Sequence, residues 1–141
     1  VETAYNIHTP VEDVAAVTFS ARSKTAFESV ISLVPKASSF AAGTTFGGTV
    51  DNAAASTAGA SGYLHAFSHG GAGTVSVIIQ HSTSGTASWT DLITFSNVTA
   101  AHASERGTAT GTVNRYLRTQ IIKTGAGNAS LSVGASRTPY L

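Results

Sequence analysis

Val75-Ser-Val-Ile-Ile-Gln-His-Ser-Thr-Ser-Gly-Thr-Ala-Ser-Trp-Thr-Asp-Leu-Ile-Thr-Phe95 is the stretch whose reading decides the fold. Val75, Val77 and Ile79 fall two apart on one face, with Ser76 and Gln80 on the other, the two-residue period of a strand with one buried face. The polar run Ser82–Ser88, with a glycine at its centre, reads as a loop. Apolar and β-branched residues resume from Trp89 to Phe95. Strand, loop, strand is therefore expected, with no helical spacing.

The same punctuation extends in both directions. Tyr63–Ser68 reads as a strand entering a turn at Gly70-Gly71-Ala72-Gly73. Glu105–Thr110 reads as a weaker strand. Val113–Ile122 reads as a strong one, with Val113, Leu117 and Ile121 on one face and Tyr116 and Ile122 on the other. After a turn at Gly125-Ala-Gly127-Asn128, Leu131, Val133 and Ala135 supply the last strand. Upstream, Ala15, Val17, Phe19 and Ala21 share one face, and Phe27, Ile31 and Leu33 share another. Arg22-Ser23-Lys24-Thr25 joins these two runs as a hairpin, and Pro35, which has no N–H to give a ladder, is expected to end the second. Residues 36–58 are small and polar and read as a linker, with a short strand around Phe46–Val50. The expectation is an all-β chain in three parts: a strand hairpin over 1–35, a linker over 36–58 and a jelly-roll-like β-sandwich over 59–141. On that division residues 58–141 fold alone and residues 1–40 do not, because a lone hairpin is barely stable in water.

Composition narrows function. Charged residues make up 11% of the 141, against roughly a quarter in an ordinary soluble domain. Ala, Ser, Thr and Gly supply just over half of the chain. Small, uncharged, β-tolerant residues suit close packing against neighbouring copies. Net charge is +1, from eight basic and seven acidic residues. Arg115, Arg118 and Lys123 form the one basic grouping, too little to neutralise a run of phosphates, so specific nucleic-acid binding is not expected. Cysteine is absent, which excludes disulfides and thiolate metal sites. No apolar stretch approaches the length of a bilayer-spanning helix. The chain opens at Val1 and is read as the visible portion of something longer.

The search for chemistry returns little. His65 and His69 lie on a strand, where four residues span roughly 13 Å, too far to share an ion. His8, His81 and His102 stand alone. Glu12 and Asp13 are adjacent and point to opposite faces of a strand. The serines lack a Gly-x-Ser-x-Gly elbow, and the glycine runs lack the lysine of a phosphate loop. No catalytic, cofactor-binding or metal-ligating residue is assigned, no cofactor is expected, and the chain is read as non-enzymatic. Trp89, the sole tryptophan, with Tyr63, Phe67 and Tyr116 nearby, is expected to be the large filler of the sandwich core, the alternative being an exposed ring that stacks on a sugar. Asn97-Val-Thr99 and Asn128-Ala-Ser130 match the glycosylation pattern by chance.

The run 75–95, then Asn97-Val-Thr-Ala-Ala101 and Thr112-Val-Asn-Arg-Tyr-Leu-Arg118, resembles the C-terminal appended domain of tail-tube (major tail) proteins of long-tailed phages. The pattern is similar, more loosely, to discoidin-like and carbohydrate-binding jelly rolls. Val11–Leu33 resembles the last strands of the tube-forming domain. The resemblance covers nearly the whole chain, while the N-terminal half of a complete tube protein has no counterpart in it. It implies a structural virion protein of the tail. Its copies would assemble into hexameric rings that stack as the genome-delivery channel and meet other virion proteins, and the sandwich would face outward. Residues 11–34 would then belong to the ring sheet. The alternatives are a capsid decoration or head-fibre protein, and a carbohydrate-binding module on the virion surface with a surface glycan as partner.

Overall fold

The computed structural model describes residues 29–137, and among them every regular element is a strand. In chain order these are β1 (Ile31–Phe40), β2 (Gly43–Phe46), β3 (Val50–Asp51), β4 (Ala60–His69), β5 (Val75–Ser82), β6 (Thr90–Thr94), β7 (Ser104–Ala109), β8 (Tyr116–Lys123) and β9 (Ala129–Ser136). They form two antiparallel sheets. The first has the order β1-β9-β4-β7; the second has the order β2-β8-β5-β6, with β3 also paired to β8. The chain is an all-β sandwich, and neither sheet closes into a barrel.

Alternation builds the core as the sequence implies. Val75, Val77 and Ile79 of β5 and Leu117, Ile121 and Val113 of the β8 region are all buried. They meet Leu64 and Ala66 of β4 and Leu131, Val133 and Ala135 of β9, which come from the other sheet. Burying each such large aliphatic side chain contributes about 1.5–3 kcal/mol. The expected strands at 63–68, 89–95, 105–110 and 131–135 all appear, one to three residues longer or shorter at their ends. Val113 itself lies ahead of β8, in an isolated bridge to Ser56.

Three expectations are corrected. Pro35 does not end a strand: β1 runs through it to Phe40, with its pairing to β9 shifted on both sides of Val34. β1 is the outer strand of its sheet, where a missing N–H faces away from the ladder, so proline is tolerated. Residues 36–58 are not a linker. They complete β1 and supply β2, which pairs with Gln120–Lys123, and β3, which pairs with Tyr116 and Leu117. β2 and β3 thus lie end to end along one side of β8, and the Gly47 N–H donates to the Thr119 carbonyl between them at 2.8 Å. Residues 31–34 belong to this sandwich, with Leu33 and Val34 inside its core, and are not part of a separate hairpin domain. The expected strand at 14–21, and most of the one at 26–34, lie outside the described residues.

At one end of the sandwich two glycine turns interlock. Gly70-Gly71-Ala72-Gly73 joins β4 to β5, and Thr124–Asn128 joins β8 to β9. The Gly70 N–H donates to the Asn128 carbonyl at 2.8 Å. Gly71 has φ +74°, and a Cβ there would collide with the Ala126 carbonyl oxygen. Only glycine permits both the backbone and the approach.

Candidate functional site

Every charged side chain between Asp51 and Arg137 is engaged within the fold. Arg115 forms a two-pronged ion pair with Asp51, Nε to Oδ1 and Nη2 to Oδ2 each at 2.6 Å. Arg115, together with the Ala53 N–H, holds the Asp51 carboxyl down at about 2. Arg137 donates Nη2 to the Ala54 carbonyl at 2.6 Å and pins the loop after β3. Arg106 donates to the Ser61 hydroxyl at 2.7 Å and to the Tyr63 hydroxyl at 3.2 Å. Glu105 accepts the Ser96 N–H at 2.9 Å.

Lys123 is the least expected of these. It stands at an inward position of β8 and is 2% exposed. Its Nζ donates to the carbonyls of Thr124 and Ala126, each at 3.2 Å. Those carbonyls belong to the second glycine turn, so a buried ammonium closes that end of the core. The three cations read together in the sequence therefore lie in three different settings: Arg115 in an ion pair, Arg118 on the outer face and Lys123 in the core.

The aromatic residues overturn one expectation. Trp89 does not fill the core; it is half-buried on the outer face of the second sheet. Tyr63 and Tyr116 also point outward, on alternate positions from the buried Leu64 and Leu117. Phe67 is only partly buried and meets the His65 ring edge-to-face, with centroids 4.5 Å apart. Phe95 is the fully enclosed aromatic of the described core. Gly62 and Gly107 make room around it: a Cβ on Gly62 would lie 2.6 Å from Ile79 Cδ1 and 2.9 Å from Phe95 Cζ. The interior is too thin for an indole, so large rings go outside.

On that outer face the Arg118 guanidinium meets two rings. Its guanidinium carbon is 4.2 Å from the Phe46 centroid and 4.2 Å from the Trp89 ring. Its Nε donates to Gln80 Oε1 at 2.9 Å, and Gln80 Nε2 donates to Asp91 Oδ1 at 2.8 Å and to Gln120 Oε1 at 3.2 Å. Register explains the network. Gln80 sits opposite both Arg118 and Asp91, and Phe46 sits opposite Gln120. A register shift after Ile79 brings Asp91 beside Gln80. Burial of the stacked guanidinium pushes its pKa down from the ordinary arginine value.

The histidines stay apart. His65 is exposed on β4, and His69 ends the same strand with its Nε2 enclosed and unbonded. His81 accepts the Asn114 N–H at Nδ1 (3.1 Å), and burial lowers its pKa. His102 is exposed, while His8, Glu12 and Asp13 lie outside the described residues. Among the described residues no three His, Asp or Glu side chains come close enough to hold a metal ion. Of the two glycosylation-type asparagines, Asn97 accepts the Ser76 hydroxyl at 2.6 Å and Asn128 sits in the glycine turn.

No protein-family model, curated protein or solved structure matches the chain. The outer face of the first sheet carries Ser32, Ser132 and Gly134 beside Tyr63 and His65, around an open depression of about 360 Å³. The outer face of the second carries the Arg118 stack. Among the described residues neither face brings together two carboxylates, or a nucleophile and a base.

Proposed function

We propose that the chain is a structural, non-enzymatic subunit of a tailed-virus particle. In this reading it is a tail-tube-type protein whose copies assemble into stacked rings around the genome channel, with the sandwich turned outward. The observation that carries the reading is the internal use of charge: from Asp51 to Arg137 each ionic side chain ties one part of the sandwich to another. What the molecule exposes instead is largely serine, threonine, alanine and glycine, with little free charge. Such a surface approaches a neighbouring copy without desolvating unpaired charge, which is the large penalty in forming an interface. A ring-to-ring contact between unlike faces propagates as an open filament.

Electron microscopy of the full chain at high concentration, and of the particle that carries it, tests the proposal. Tubes of stacked rings are the expected result. Knobs at capsid axes would move the protein to the decoration class. A monomer by light scattering at every concentration, with no particle-bound form, would refute both.

A further inference from the structure

The geometry points to the Arg118 stack as a binding site for a carboxylate-bearing saccharide of the uronic acid class. This is an addition to the assembly reading and does not depend on it. Arg118 is held on three sides, by Phe46, by Trp89 and by Gln80 at its Nε. Among the described residues no hydrogen bond or ion pair engages its two terminal nitrogens, and neither is enclosed. A guanidinium stacked against two rings with its terminal N–H groups open is arranged for two-pronged recognition of a carboxylate. Its rotamer is already fixed, so ligand binding orders little more. Partial desolvation strengthens both the stacking and the charge it offers.

Two neighbours select the rest of the ligand. Phe46 stays 49% exposed even with Arg118 over its ring, so it still offers apolar area that suits the C–H face of a pyranose ring. Gln120 and Asp91 flank the same row with amide and carboxylate oxygens able to accept sugar hydroxyls. The Asp91 charge, only a Gln80 side chain away from Arg118, disfavours a dianion such as phosphate and leaves room for a single carboxylate. One site then reads one carboxylate, one ring face and neighbouring hydroxyls.

The test uses the full chain, with trigalacturonic acid, its methyl ester and inorganic phosphate as probes. Trp89 is the only tryptophan, so its fluorescence reports the site directly, and calorimetry gives a second readout. A saturable change is expected with the acid and not with the ester or phosphate. Arg118→Gln should weaken binding at least roughly tenfold, and Phe46→Ala several-fold, with the circular dichroism spectrum retained. Should Arg118→Gln fail to fold, Phe46→Ala decides, because that ring is on the surface. No saturable change with the acid would overturn the proposal. So would equal binding of the ester or of phosphate, or unchanged affinity in the variants that fold.

Discussion

Removing residues 1–57 is the perturbation that most directly tests how the sandwich is built. The composition of residues 36–58 suggests a dispensable linker, and residues 58–141 should then fold alone. The structure argues the reverse. Without β1, β2 and β3 the core loses Leu33 and Val34, which are 3% and 2% exposed, together with partly buried Phe40 and Val50. At about 1.5–3 kcal/mol for each fully buried side chain, Leu33 and Val34 together account for roughly 3–6 kcal/mol. β9 also becomes an unprotected edge, and one side of β8 loses both of its short partners. Against a typical domain stability of about 5–15 kcal/mol, a loss of this size leaves residues 58–141 unfolded or aggregated. Urea denaturation followed by circular dichroism, with light scattering to detect association, compares the shortened chain with the full one. Leu33→Ala in the full chain is the milder form and should cost about 2–5 kcal/mol. A monomeric 58–141 chain that unfolds cooperatively, within about 1 kcal/mol of the full chain, would refute the reasoning.

Three further outcomes are expected. Thr119 faces the core with its hydroxyl enclosed and unbonded, so Thr119→Val should raise stability by about 1 kcal/mol; a loss in urea denaturation would reveal a partner for that hydroxyl. Gly71→Ala combines a left-handed backbone with a collision against a neighbouring carbonyl and should cost about 3 kcal/mol, whereas Gly48→Ala, with open space around it, should stay within about 0.5 kcal/mol. The folded-state pKa of His81 lies below the ordinary 6.5, so near that pH the unfolded chain binds more protons than the folded one. Stability should therefore fall as pH drops through 6.5 and level off below the folded-state value; denaturation between about pH 8 and about pH 5 should show this slope in the native chain and lose it in His81→Gln.

Much of the fold was legible because alternation reports burial directly. Val75, Val77 and Ile79 occupy one parity and all are buried, and the same holds for Leu131, Val133 and Ala135. Reading failed where a strand owes its place to a partner and not to its own side chains. β2 is Gly43-Thr-Thr-Phe46, exposed throughout, and it exists because the edge of β8 needs pairing. Pro35 misled for a related reason: its restriction applies to the interior of a sheet, and one sequence cannot show which strand will be outermost. The site was half legible. Trp89 and Arg118 were both singled out, but their contact joins β8 to the start of β6. Phe46 reaches the same guanidinium from a segment read as linker. Lys123 gave no signal, because its inward parity among Leu117, Thr119 and Ile121 looks like an interrupted apolar face until the glycine-turn carbonyls come into view.

The two faces of the sandwich invite different partners, and this follows from where the rings were sent. An interior thin enough to need Gly62 and Gly107 around one phenylalanine cannot take Trp89 or Tyr116, so these rings lie on the outside of the second sheet, where cations cover them. The first sheet carries Ser32, Ser132 and the exposed Val30 around an open depression, with Arg106 over the Tyr63 ring beside it. A face of serine and aliphatic side chains whose Arg106 is already tied to Ser61 and Tyr63 suits another protein surface, while the Arg118 face, with terminal N–H groups open, is better suited to a discrete ligand. The assembly contact is therefore expected on the β1-β9-β4-β7 sheet and ligand recognition on the β2-β8-β5-β6 sheet. A charge placed at Ser132, whose side chain lies on the first of these faces, should block self-association yet leave the Trp89 fluorescence response intact. Loss of both together would mean that one face serves both roles and that this division of the molecule is wrong.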